Sequence, residues 1–443
     1  MPRSIAMRPV EAVEAGAPPV QVSSLHQLII MGILLGACLF NTFLAFVNAN
    51  VAALSSAPVI AFELLITCAA LAIGVQRVDA NKARWFVLMG FLVFFQAFTA
   101  ITNGQPDPKF LRDVLIIPVF MLLGLSSDRP TLLRALIILQ AVVLAFTLYE
   151  AFAVDSYSKL LGVKSYYINT RGFKADSFYQ KGSELFVSAQ RPGERFLPFF
   201  GIHRVSSVFL EPVSLGNYAV IAWMIMLAMW SQMSWMTRGY LVFSTVIILF
   251  GCDGRFATVT IGILTGMRVI VPFLPRFSNW LYLPLVLIVA AIASSLLNWQ
   301  PDGDNFSSRT AFTLDILASL DAGQIFGGDS ARAYRSADSG VSYILLSQSF
   351  LGLLVIWSFI SIGVPQNDRP TLFYAHAVSA YIALNSLISY SMFSIKTAAL
   401  LWFAYGALQS LQASQPAAAP PYPRLRRGGS RYGNREGRLI GAE

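Results

Sequence analysis

The sequence is dominated by apolar blocks, each about 15 to 23 residues long and almost free of charge inside. A helix rises about 1.5 Å per residue, so blocks of this length match a hydrocarbon core of roughly 30 Å. Charged residues make up only 12% of the 443 residues and hydrophobic ones 56%, whereas soluble domains carry about 25% charge. These proportions exclude an ordinary soluble chain, and collagenous, disordered and disulfide-rich secreted ones as well. Cys38, Cys68 and Cys252 lie in or beside apolar blocks, which suggests no disulfide framework. The expected fold class is an all-α polytopic membrane protein.

About twelve transmembrane helices are expected, near 27–47, 58–75, 85–101, 111–126, 132–154, 206–230, 239–253, 256–270, 280–298, 341–362, 371–391 and 396–413. Those at 111–126, 239–253 and 256–270 are short, so they tilt or stop beside an aqueous cavity. No small-residue cleavage site follows the first block, which reads as a retained span rather than a signal peptide. The chain thus divides into an amino-terminal segment (1–26), a transmembrane domain (27–413) and a tail (414–443). The tail, rich in proline, arginine and glycine, reads as a disordered basic segment touching anionic lipid.

The net charge of +9 does not mark a nucleic-acid partner, because of how it is distributed. Arg424, Arg426, Arg427, Arg431, Arg435 and Arg438 crowd the tail, and many other basic residues fill short gaps between apolar blocks. If the amino terminus is cytoplasmic, the cytoplasmic side holds 17 lysines and arginines in short segments. The other side holds four: Lys109, Arg112, Arg255 and Lys396. The positive-inside rule therefore puts both termini in the cytoplasm.

Two stretches do not fit a membrane, one at about 155–205 and one at about 299–340, and both fall on the outer side. Loops longer than about 15 residues are usually functional or disordered; the expectation here is function. In the second loop, Ser307 and Ser308 are good capping residues. Phe312, Ile316, Leu317 and Leu320 then recur at helical spacing before Asp321-Ala322-Gly323. That pattern predicts a short amphipathic helix at the membrane surface or over a cavity.

The densest local signal is the run His203-Arg204 through Glu211-Pro212, leading into Gly216-Asn217-Tyr218. It places Arg204 and Glu211 about two helical turns apart at the outer mouth of a span, with Pro212 as a potential break. Ionisable residues at membrane depth usually mark a site; the plainer reading is that Arg204 anchors the helix in headgroups and pairs with Glu211. The second signal is Asp253-Gly254-Arg255 in the outer turn between two short spans. Either its charges merely face water, or Arg255 turns inward to an anion, joined by Arg309, Arg332 and Arg335 in a pyrophosphate clamp. Asp302-Gly303-Asp304 reads as a turn rather than a metal-holding acidic pair. His26, His203 and His376 have no metal-ligand spacing, and no phosphate-binding glycine–lysine loop is present. Glu63 and His376 lie within spans, either as polar contacts between helices or as parts of a proton-coupled pathway.

These stretches together resemble the bacterial Wzy-type polysaccharide polymerases and O-antigen ligases, the exopolysaccharide polymerases most of all. The resemblance rests on Arg204–Tyr218, Asp253-Gly254-Arg255-Phe256-Ala257, Ser308-Arg309 through Gly327-Gly328, and Asp338-Ser339-Gly340-Val341-Ser342-Tyr343 followed by Gly352. It covers roughly residues 85–410, with two large outer loops flanking four spans. It implies a GT-C-like glycosyltransferase that moves a growing glycan from undecaprenyl pyrophosphate onto an acceptor at the outer face of the inner membrane. Such an enzyme needs neither metal nor nucleotide.

By the same resemblance, Arg204, Arg255 and Arg309 bind the lipid pyrophosphate, and Asp338 or Glu211 acts as general base. The implied partners are the undecaprenyl-pyrophosphate-linked oligosaccharide, the bilayer and, as a further candidate, a chain-length regulator. Ligases of this family carry a histidine in the second loop; none is present here, which favours a polymerase. Some polymerases carry an arginine and a glycine separated by ten residues in each large loop; counting from Arg204 reaches Leu215, one short of Gly216, and Arg309 has no glycine at that spacing. The alternatives are a ligase to lipid A-core or protein, and a transporter or lipid flippase.

Overall fold

A computed structural model describes residues 24–76, 78–174, 184–189, 203–303, 305–336 and 338–410. Most of the amino-terminal segment, the tail, Asp304 and Lys181, Arg191 and Arg195 of the first loop lie outside the described residues. Within them the chain is helical, with no strand. The first five helices are α1 (Ser24–Asn50), α2 (Ser56–Gly74), α3 (Ala80–Asn103), α4 (Pro108–Leu125) and α5 (Arg129–Phe152). Next come α6 (Val154–Leu161), α7 (Val163–Arg171), α8 (Pro212–Ala228), α9 (Trp235–Cys252), α10 (Arg255–Ile270) and α11 (Tyr282–Leu296). The last five are α12 (Phe306–Ala318), α13 (Ala322–Ile325), α14 (Gly340–Ser361), α15 (Arg369–Asn385) and α16 (Ile395–Gln409).

Helix starts are written locally in the sequence. The side chains of Asp79, Asp107, Asp128, Ser234, Ser339 and Asp368 each accept a hydrogen bond from a backbone N–H of the first turn that follows. Asp-Arg-Pro-Thr-Leu opens both α5 and α15; in each, the aspartate caps and proline sits where no N–H is needed. The two starts meet, since Arg129 pairs with Asp368 and donates to the Leu408 carbonyl at 2.7 Å.

Among the described residues, eight helices are long and apolar enough to cross a membrane: α1, α2, α3, α5, α9, α10 with its continuation to Phe273, α11 with its lead-in from Ser278, and α14. Their outward faces carry large apolar side chains, such as Leu285, Ile288, Val289, Ile292 and Leu296 of α11, all more than half exposed. A soluble surface does not tolerate such a stripe; hydrocarbon does. The chain is a polytopic membrane protein. The other four expected segments coincide with α4, α8, α15 and α16, in which most residues are buried by neighbouring helices. α4 and α16 form the innermost pair. An added Cβ on Gly124 would run into the Phe403 carbonyl, and one on Gly406 into that of Met121.

The structure fills in one loop that the sequence left open and corrects two sequence expectations. The first long loop is partly helical: α6 and α7 bury Tyr157, Leu161, Val163, Tyr166 and Tyr167 against the bundle, joined at Gly162 in the left-handed region (φ 49°). The segment expected as a span from 206 holds only a 3-10 turn at Ser207–Phe209 and is not α-helical until Pro212. Leu210 is left-handed (φ 60°) and Pro212 begins α8 rather than breaking it. In the second loop α12 is capped by Asn305, not by Ser307 or Ser308, and Asp321 caps α13.

Candidate active site

The starts of α8, α10, α12 and α14 and the ends of α9, α11 and α15 gather at one end of the bundle. There they surround a cavity of about 1120 Å³. Arg204, Glu211, Arg255, Arg309 and Asp338 all line it, so it unites the five residues that the sequence singles out. Arg332 and Arg335 do not line it: Arg332 donates to Ser319 Oγ at 2.6 Å and to Gln324 Oε1 at 3.3 Å, within its own loop. Asp302, in the expected turn, accepts from Ser308 Oγ at 3.4 Å.

Each functional side chain owes its place to a local feature. Arg204 is buried; its Nε donates to the Cys252 carbonyl at 3.0 Å and its Nη1 to that of Ser188 at 3.3 Å. This guanidinium clasps the α9–α10 turn to the first loop. In that turn Asp253 is left-handed (φ 48°), and Gly254 approaches Gly216 of α8 closely. Arg255 then opens α10, exposed at the cavity wall. α9 and α10 therefore stop beside the cavity, one of the two outcomes their shortness allows.

Arg309, one turn into α12, reaches Asp338 Oδ1 at 3.0 Å and the Ile388 carbonyl at 3.1 Å. Thr313, one turn later, donates to the Leu387 carbonyl at 2.6 Å. These bonds lay α12 over the cavity rather than flat on the membrane surface. Asp338 precedes the Ser339 cap of α14, and its side chain is 59% exposed.

Glu211 is held differently. Its Oε2 accepts from Lys396 Nζ at 2.6 Å and Ser214 Oγ at 2.7 Å, and its Oε1 from Tyr167 Oη at 2.7 Å. It thus pairs with Lys396, not with Arg204. Burial alone would raise this carboxyl, which sits outside α8. Lys396 and the two hydroxyls outweigh burial and hold it below the ordinary glutamate value. Arg171, Arg112 and Glu63 continue the charged network behind it, with Glu63 2.8 Å from Arg112 and 3.5 Å from Arg171. The lining itself bears three arginines and three carboxylates, Glu211, Asp253 and Asp338. With Lys396 taking the charge of Glu211, the balance in the cavity tips positive.

Sequence reasoning did not find Lys396, Tyr167 or Arg171 as site residues. Lys396 opens an apolar block and counts there only as a topology charge; its partner is distant in sequence. The remaining candidates lie elsewhere. Glu63 is a satisfied contact of α2 with Arg112, and His376 Nδ1 lies 2.8 Å from Tyr282 Oη between α15 and α11. His203 does not line the cavity; its Nε2 lies 3.2 Å from Glu150 Oε1, and Glu150 Oε2 accepts the backbone N–H groups of Ser206 and Ser207.

Compared with known proteins, the chain matches no family model, no curated protein and no solved structure.

Proposed function

We propose that the chain is a polymerase that joins undecaprenyl-pyrophosphate-linked oligosaccharide repeat units into exopolysaccharide or O-antigen. It would act at the periplasmic face of a bacterial inner membrane. In this reading all twelve long helical segments are spans of a GT-C-like bundle, with both termini cytoplasmic. The observation that carries the proposal is the convergence of Arg204, Arg255, Arg309, Glu211 and Asp338, from four separate segments, on one cavity.

Arg255 and Arg309, braced by Arg204, hold the donor's pyrophosphate through charge-assisted hydrogen bonds. The acceptor hydroxyl attacks the anomeric carbon of the donor. The bond from that carbon to the pyrophosphate oxygen breaks, and the pyrophosphate leaves with the electron pair. Asp338 takes the proton of the attacking hydroxyl. Both oxygens of Glu211 are already engaged, whereas Asp338 holds Arg309 through Oδ1 and faces the cavity. Glu211 is thus a positioning residue for the wall made by α8 and α16. The position of His203 away from the cavity favours polymerase over ligase.

The test is reconstitution of the full chain in liposomes with the cognate lipid-linked repeat unit and no nucleotide sugar. A ladder on a gel is expected from the native protein and lost from Arg255→Ala. A ladder from both removes Arg255 from the mechanism; no ladder with the cognate unit overturns the polymerase.

A further inference from the structure

The cavity has a wall and a floor that the proposed chemistry does not use. The wall is aromatic. Phe256, in the first turn of α10, and Phe306, at the start of α12, lie nearly parallel (14°) with ring centroids 6.4 Å apart. Trp299 stands edge-on to Phe306 at 6.2 Å and 82°. Phe306 remains 42% exposed.

The floor is made of amides. Asn217 of α8 and Asn385 at the end of α15 both donate to Ser391 Oγ, each at 2.9 Å. That arrangement satisfies one end of the Asn385 amide. The other end, buried with the residue at 0% exposure, has no hydrogen-bond partner among the described residues. Turning the amide over exchanges its oxygen and nitrogen but leaves one atom orphaned either way.

We propose that Phe256, Trp299 and Phe306, with Asn217 and Asn385 beneath them, form a saccharide subsite that seats sugar rings of the glycan. The subsite rests on the polymerase reading, which it deepens. A pyranose has an apolar C–H face, which packs on the electron-rich face of an aromatic ring. Its rim carries hydroxyls, which donate and accept, so a hydroxyl satisfies the Asn385 amide whichever way it is turned. The volume of about 1120 Å³ exceeds the roughly 300–1,000 Å³ of an ordinary small-ligand pocket, which suits several rings rather than one. An isoprenoid chain on the same wall would leave the orphaned amide atom unsatisfied and would bury Asn305, Ser307 and Ser308, which line the cavity beside Phe306.

The test uses the full chain in nanodiscs and saturation-transfer NMR. The probe is the oligosaccharide released by mild acid from the lipid-linked pool of the source cells. Saturation of sugar ring protons is expected with the native protein. Phe306→Leu is expected to weaken binding about fivefold, and Phe306→Tyr, which keeps the ring, to restore it. Equal binding by native protein and Phe306→Leu overturns the subsite, as does displacement of the probe by undecaprenyl phosphate that itself contacts Phe306. No saturation from a protein that still builds a ladder overturns the subsite and leaves the polymerase standing. Ring-dependent saturation without a ladder supports the subsite and counts against the polymerase.

Discussion

Glu211 and Asp338 line the same cavity, yet the fold treats them differently. Glu211 sits where α7, α8 and α16 meet, with an ammonium and two hydroxyls on its oxygens. Asp338 stands in the turn before α14, where Arg309 is its ion-pair partner among the described residues. A carboxylate taken out of water needs its full set of partners, and once it has them it cannot readily take a proton from a substrate. A carboxylate left in a wet turn needs none and stays available. The difference teaches that in this cavity the better-partnered acid builds the wall, which leaves the less-partnered acid free for the chemistry we propose.

The contrast can be broken by mutation, and the largest effect is expected at the buried pair. Lys396→Met strands the Glu211 charge and is expected to cost about 3–5 kcal/mol, read as a fall in Tm in detergent. Adding Glu211→Gln to it should recover most of that loss. If Lys396→Met is as stable as the native protein, Glu211 is not a structural acid.

Gly406→Ala comes next, because its methyl group would meet the Met121 carbonyl and push α16, which carries Lys396, away from α4. A loss of about 1–3 kcal/mol is expected by the same measurement. A smaller effect is expected from pH. The Glu211 carboxyl is lowered in the folded protein below its ordinary value of 4.5. Its contribution is therefore complete above that value and is lost as pH falls through the folded value. The acid-induced drop in Tm should be shallower in Glu211→Gln than in the native protein; equal slopes would remove this linkage. The smallest effect on stability is expected at the rim. Asp338→Asn breaks one exposed pair and should change stability by less than about 1 kcal/mol in the same thermal unfolding.

Much of this was legible in the sequence where the signal is local. Apolar runs, aspartate and serine caps and prolines at first turns locate the long helices, and the shared end of the bundle that holds Arg204, Arg255, Arg309, Glu211 and Asp338 follows from their alternation. Partnerships across the bundle were not legible. Nothing near Lys396 names Glu211 as its partner, and nothing near Asn385 shows that it lies at the cavity with an amide atom unpartnered. The run Arg204–Glu211 reads as helix because Val205, Val208, Phe209 and Leu210 are apolar. In the structure they are buried in a turn that Glu150 holds through the N–H groups of Ser206 and Ser207. The helices of the first loop were hidden because Tyr157, Tyr166 and Tyr167 pack on a surface that only the assembled bundle supplies.

The most direct test is the initial rate at which Asp338→Asn joins lipid-linked repeat units in liposomes, set beside its Tm. The account predicts a rate about 10²–10⁴-fold below native, the range for loss of a general base, with Tm nearly unchanged. A rate within about twofold of native, far outside that range, would contradict it and return the base to another residue of the cavity.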